Sequence, residues 1–244
     1  MAETRESLGE PAWRLFTGLH RLLLRLAGRV PDDWLNHVRT RIATGELAEV
    51  PDTISGTTAE LRVPLTAGEV ALLRELVLLL HGDREPMRIE QVVVAERTPA
   101  SAHRFFPVPA EVLATDAARI PAHLDLSGTD DLWQLPPHLA HLDDLAMRLT
   151  DLTDTAPVVA LGQRDDVLSI ARAWRFPLDG PPVDGVRVLL VEVASGAPAW
   201  DVARTAERDM DEAGAQVEAY WAGDELPPYH RRALAGAAVL WKRS

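Results

Sequence analysis

Cysteine is absent from this 244-residue chain, which removes thiolate nucleophiles, cysteine-containing zinc sites and disulfide bridges together. Lysine occurs once, at Lys242, so the Gly-Lys-Ser/Thr loop that cradles nucleoside triphosphates is missing. Asparagine also occurs once, at Asn36. No apolar run approaches the roughly 18–20 residues of a membrane span; the longest candidate, Val70 to Leu80, is broken by Arg74 and Glu75. The opening residues Met1-Ala2-Glu3-Thr4-Arg5-Glu6 lack the basic-then-apolar order of a secretory signal. A cytoplasmic location without stable membrane insertion is therefore expected. Positive charge is scarce too: 25 Lys and Arg stand against 37 Asp and Glu, a net charge of −12. Duplex nucleic acid would repel such a surface, so nucleic acid is not expected as a partner.

What is present is ordinary for a folded protein. The chain is 47% hydrophobic and 25% charged, enough to build the core of one large domain or two small ones. The preference for arginine over lysine, with abundant alanine and leucine, resembles the amino-acid usage of GC-rich actinobacterial genomes. The arginine excess is thus read as compositional bias rather than as selection for bidentate anion binding. Charge is uneven along the chain: residues 81–156 hold 13 acidic and 6 basic side chains, about −7, against about −2 before and −3 after. That middle third is the segment expected to attract a basic protein, unless it is simply a solvated acidic face.

The first 82 residues read as helices. From Pro11 to Gly28, Leu15, Leu19, Leu22, Leu23 and Leu26 fall on one side of a helix while Arg14, Arg21 and Arg25 fall on the other. This is either a docking helix or, more simply, a helix packed on the domain with a wet arginine face. Asp32 to Ala43 repeats the periodicity, and Asp52 to Leu61 is at best a short helix weakened by Gly56. Thr66-Ala67-Gly68-Glu69 spells a capping box, and the helix after it, Val70 to His81, is apolar on almost every side. It is expected to be the central helix of an N-terminal helical layer.

Beyond His81 the period changes. Arg88 to Ala95 reads as a strand pairing back on His103 to Val108 as a hairpin, followed by a helix from Pro109 to Ala118. An irregular connection spans Ile120 to Pro137, and a helix Pro137 to Leu152. Val158 to Leu161 reads as a short strand, with a buried helix end as the alternative. Then come strands Ala171–Phe176, Val186–Val193, Gln216–Trp221 and Ala237–Trp241, with helices Ala199–Ala213 and Pro227–Leu234 between them. The 171–193 hairpin makes the sheet mixed. The expected fold is α+β: a helical N-terminal region, 1–82, then a mixed sheet with helices packed on it, 83–244.

Chemical motifs are sparse. The turn Ala194-Ser195-Gly196-Ala197-Pro198 has one glycine where a dinucleotide fingerprint needs two or three, and Ser195 lacks the Gly-x-Ser-x-Gly elbow of a hydrolase nucleophile. His138, His141 and Asp144 are metal-ligand types on one helix, but their spacing is not that of a zinc-protease motif and no outside ligand is identifiable. No cofactor is expected. The densest segment follows the Gln216–Trp221 strand and holds Trp221, Asp224, Glu225, Tyr229, His230 and Arg231; Trp200, in the first turn of the preceding helix, is expected to meet Trp221 at the same sheet edge as a recognition patch. Two functions are consistent with this. One is a non-enzymatic cytoplasmic protein that binds another protein in an accessory, regulatory or inhibitory role, with self-association also open. The other is an enzyme or small-molecule binder with its site at the carboxyl ends of strands 186–193 and 216–221.

Overall fold

A computed structural model describes residues 5–82, 84–129, 134–210 and 214–243. The chain divides into two units. The first comprises residues 1–101, 198–204 and 226–229, and the second 102–197, 205–225 and 230–244. The helical N-terminal unit therefore runs past residue 82 and recruits two short pieces from the far end of the sequence.

In the first unit, α1 (Arg5–Leu8), α2 (Glu10–Leu26), α3 (Asp32–Ala43), α4 (Val50–Glu60) and α5 (Ala67–His81) follow one another, and β1 (Leu65–Thr66) pairs in parallel with β2 (Val94–Ala95). The central helix is α2 and not α5. Beyond its first turn α2 leaves only Arg14, Arg21 and Arg25 exposed, whereas Leu78 and Leu79 of α5 face solvent. A single arginine stripe costs α2 little of its apolar circumference, so leucines on all its other sides can be covered. Gly18 brings the two helices close: a Cβ there would stand 2.9 Å from the Leu76 side chain. The capping box forms as the sequence indicates, with Thr66 Oγ1 accepting from the Glu69 amide and Glu69 accepting from the Thr66 amide at 2.7 Å.

The second unit is built on a six-stranded mixed sheet. It contains β3 (His103–Phe106), β4 (Leu124–Asp125), β5 (Val167–Pro177), β6 (Val186–Val193), β7 (Gln216–Trp221) and β8 (Ala238–Lys242), in the order β4-β8-β5-β6-β7 with β3 beside the far half of β5. Strands β6, β7 and β8 run parallel and β5 opposes them. The α+β fold is confirmed. The expected 88–95/103–108 hairpin does not form: residues 89–91 make a 3-10 turn, and β3 pairs antiparallel with β5 instead. Alternating apolar residues at 103–106 suit any sheet edge, and β5 is long enough to offer one.

One face of this sheet is covered by α6 (Ala110–Asp116), a 3-10 segment Pro137–Leu145, α7 (Ala146–Leu149) and α8 (Leu152–Gly162). The 3-10 geometry answers the sequence. Leu139, Leu142 and Leu145 recur every third residue and are all buried, and three residues per turn stacks them on one line. Residues 158–161, expected as a strand, are the last turns of α8; an apolar run this short does not separate buried strand from helix. Helices α9 (Ala199–Met210) and α10 (Pro228–Ala235) follow β6 and β7. Residues 130–133 of the irregular connection and 211–213 of the expected 199–213 helix lie outside the described residues.

Candidate functional site

The tryptophans expected on the surface are interior. Trp200 is 2% exposed, its ring 5.0 Å from those of both Trp13 and Phe16. Trp221 is buried in the second unit with Nε1 donating to the Ala197 carbonyl at 2.6 Å. Large aromatic area is withdrawn from water once a partner is found for the indole N–H, so neither ring offers a recognition patch. Tyr229 and His230 are buried as well; Glu225 and Arg231 are exposed and Asp224 is half-buried. His230 Nε2 lies 2.8 Å from Glu218 Oε2, with both side chains fully excluded from solvent, and Glu218 Oε1 accepts from Gln216 Nε2 at 3.1 Å. His138, His141 and Asp144 fall on one exposed edge of the 3-10 segment, but Asp144 is gripped by both terminal nitrogens of Arg119 at 2.8 and 2.5 Å. Among the described residues no group of three or more His, Asp and Glu is placed to hold a metal ion.

Four residues that carried no sequence signal meet at the carboxyl ends of the parallel strands. Lys242 on β8, Ser169 on β5, Glu192 on β6 and Tyr220 on β7 are successive cross-strand neighbours on one sheet face. Ser169 Oγ donates to Glu192 Oε2 at 3.0 Å. Burial and the nearby Glu192 charge push the Tyr220 phenol well above its usual value, against a smaller opposing effect of its hydrogen bond to Ser169, so Tyr220 keeps its proton. Lys242 Nζ reaches Asp125 at 2.7 Å. Ser169, Glu192 and Tyr220 interact with one another while Lys242 turns to Asp125, and only register reveals the row because its members lie up to 73 residues apart in sequence.

The opposite sheet face carries a different arrangement. Helix α8 buries an acid together with Pro157 and Leu161. Its only charged residue, Asp154, is buried, while Leu152, Ala156, Val159 and Ala160 are exposed within an arc of about 100°. Asp154 is drawn inward by two strand arginines: Arg187 Nη1 donates to Oδ1 at 2.6 Å and Arg172 Nη1 to Oδ2 at 2.5 Å. Arg172 Nη2 also donates to the Leu149 carbonyl at 3.0 Å. Arg187 stacks 4.8 Å from the Trp174 ring centroid and bonds Asp151, the α8 N-cap. Burial pushes the Asp151 carboxyl upward, but Arg187 and the Thr153 amide outweigh it and hold the group below the usual carboxylate range. Beside these carboxylates lies a cleft of about 50 Å³.

This network changes the meaning of the acidic middle third. Asp151 and Asp154 are neutralised by Arg187 and Arg172, Asp125 by Lys242, and Asp116 and Asp144 by Arg119 and Arg148. Three of the segment's 13 acids, Asp125, Asp151 and Asp154, are the counterparts of strand cations outside it. Among the described residues no helix is long and apolar enough to cross a membrane. Comparison of the chain with protein-family models, with curated proteins and with solved structures finds no match.

Proposed function

We propose that this protein acts by binding another protein, and that the exposed face of α8 is the contact. The observation that carries this reading is the exposed, uncharged side of α8, formed by Leu152, Ala156, Val159 and Ala160. Leu152 and Val159 are 61% and 50% exposed, Met147 just before them is 71% exposed, and the same helix buries its one acid. Scattered apolar residues on a surface need no explanation, but an apolar face without a single charge is what a partner covers. An accessory, regulatory or inhibitory role fits such a surface.

The charges around α8 indicate the partner's chemistry. Asp151 precedes the helix, the fully exposed Asp165 follows it, and no lysine or arginine occurs from 152 to 163. Asp151 is already paired with Arg187, so the fully exposed Asp165 is the acid that a partner's basic residue would meet. A different protein with an apolar segment flanked by basic residues suits both the stripe and this acid.

A photo-crosslinking residue placed at Val159 in the intact chain tests this, with one at exposed Glu111 as the reference. The expected product is a single protein joined through an apolar peptide bordered by Lys or Arg, and lost with Leu152→Glu. Equal capture from Glu111, capture that survives Leu152→Glu, or a second copy of this chain as the product would each defeat the reading.

A second reading is favoured by the Lys242–Ser169–Glu192–Tyr220 row: a small polar molecule bound at the carboxyl ends of β6, β7 and β8, where ligands of open sheets gather. Ligand-induced thermal shifts that disappear in Ser169→Ala support it, and shifts indifferent to Ser169→Ala remove it.

A further inference from the structure

Three acids sit on the strands of the six-stranded sheet: Asp125, Glu192 and Glu218. Asp125 is matched by Lys242 and Glu218 by His230. Glu192 has no such counterpart. Its Oε2 accepts from Ser169 Oγ at 3.0 Å, and among the described residues no lysine, arginine or histidine pairs with it. The residues outside the described ones contain no Lys, Arg or His, so no side chain among them supplies a cation. Both hydroxyls of the row direct their protons at this carboxylate. The single Ser169 proton goes to Glu192, so the bond between Tyr220 and Ser169 uses the proton that Tyr220 keeps. Oε2 is thereby occupied, and Oε1 is left as an acceptor.

The carboxylate lies where the chain parts. Glu192 and Tyr220, each the last residue but one of its strand, stand opposite each other in register. Alternation along β7 puts Trp221 on one face of the sheet and Glu218 and Tyr220 on the other. After β6 the chain turns to the Trp221 face, where the Ala197 carbonyl receives the indole N–H. After β7 it turns to the opposite face, where His230 of α10 meets Glu218. Adjacent parallel strands whose connections leave on opposite faces open a crevice at their carboxyl ends, the place where open sheets bind ligands. Ser169 and Glu192 are only half-buried there.

The chemistry of the row selects the ligand. An anion would meet Glu192 directly, and a neutral hydroxyl would leave the carboxylate's charge unmatched. A guanidinium grips a carboxylate through both oxygens, but Ser169 already holds Oε2. A primary ammonium needs one oxygen and brings the missing charge. We infer that the crevice at the carboxyl ends of β6 and β7 binds a small organic molecule through its primary ammonium group, accepted by Glu192 Oε1 while Ser169 and Tyr220 hold the other oxygen in place. This rests on the small-molecule reading of the same row and names the class of molecule.

The chain has two tyrosines, so tyrosine ring labelling of the full chain reads Tyr220 with little overlap. Propylammonium is expected to shift the Tyr220 signals saturably. Propan-1-ol, propionate and propylguanidinium are each expected to bind about tenfold or more weakly. Glu192→Gln keeps the size and an acceptor oxygen but removes the charge, and should bring propylammonium down to the level of propan-1-ol. The inference is overturned if propylammonium leaves Tyr220 of the parent chain unmoved, if any of the other three probes binds as tightly, or if Glu192→Gln keeps the preference for ammonium over alcohol. A neutral or anionic molecule that raises the melting temperature of the parent but not of Ser169→Ala would also overturn it, while leaving the small-molecule reading standing.

Discussion

Asp154 on α8 and Arg172 in the middle of β5 form an ion pair whose side chains are 7% and 2% exposed. The pair fixes which side of the helix is buried, with Pro157 and Leu161 beside the acid. Once Asp154 must face Arg172 and Arg187, the leucine and valine on the other side of the helix have nowhere to go but solvent. Burying two arginines on a sheet is costly in itself, and it is made tolerable by fixed acceptors: two aspartates and the backbone carbonyls of Leu149 and Pro107.

Removing one member of this network should therefore harm more than removing a pair. Asp154→Ala takes the carboxylate partner from buried Arg172 and leaves Arg187 with Asp151 alone, and a loss of about 3–5 kcal/mol in unfolding free energy is expected. Asp154→Leu combined with Arg172→Met should lose clearly less. Urea unfolding followed by circular dichroism measures both; a single substitution milder than the double one would contradict the pairing.

The Glu218–His230 contact ties α10 to β7 with neither side chain reaching water. A double-mutant cycle with Glu218→Ala and His230→Ala should return a coupling of about 1–3 kcal/mol, because each single change removes one hydrogen bond from a buried polar group. Additive losses would show that the contact carries no weight.

Gly236 sits where α10 hands over to β8, and a Cβ there would stand 2.4 Å from the Phe105 carbonyl oxygen. The obstacle is backbone, which cannot swing aside. Gly236→Ala should destabilise the protein by roughly 1–3 kcal/mol, whereas Gly56→Ala, with open space around its Cβ, should be neutral or stabilising. Melting temperatures of the two variants separate these outcomes.

Acid should unfold the protein through its paired carboxylates. Burial pushes Asp52 and Asp125 upward, but Arg84 and the Met87 amide around Asp52, and Lys242 and Ser127 around Asp125, more than compensate and hold both below their usual value. Asp151 behaves likewise. Groups depressed in the folded state bind fewer protons there than in the unfolded chain. Their stabilisation is present above the unfolded value of about 4 and is lost as pH falls through the lower folded values. Melting temperature should be flat above about pH 5 and fall steeply below about pH 4, with a shallower fall in Asp52→Asn or Asp125→Asn. A slope identical to the parent in both variants would exclude these carboxylates as the cause.

Residues 186–193 and 216–221 show their strands in plain sequence because each is a valine- or aromatic-rich run bounded by turn residues, and Thr66-Ala67-Gly68-Glu69 announces its helix for an equally local reason. The candidate arrangements are not local. Ser169, Glu192, Tyr220 and Lys242 become neighbours through register alone, so nothing near any of them marks it. Arg172 and Arg187 look like two more arginines in an arginine-rich chain, and Asp151 and Asp154 like part of an acidic segment. Conversely, Trp200, Trp221 and His230 stood out by residue type and by a loop context, and the packing placed all three in the interior.

By itself, then, the sequence determined what depends on short-range physics: the α+β class, the two most regular parallel strands, the capped helix, and the exclusion of cysteine chemistry and of a P-loop. Tertiary structure alone decided which helix is central, which strand β3 joins, and which side of α8 meets water. Those outcomes turn on competition between distant partners, and for α8 the contest is settled by two arginines on β5 and β6 that draw an aspartate inward and leave leucine and valine outside.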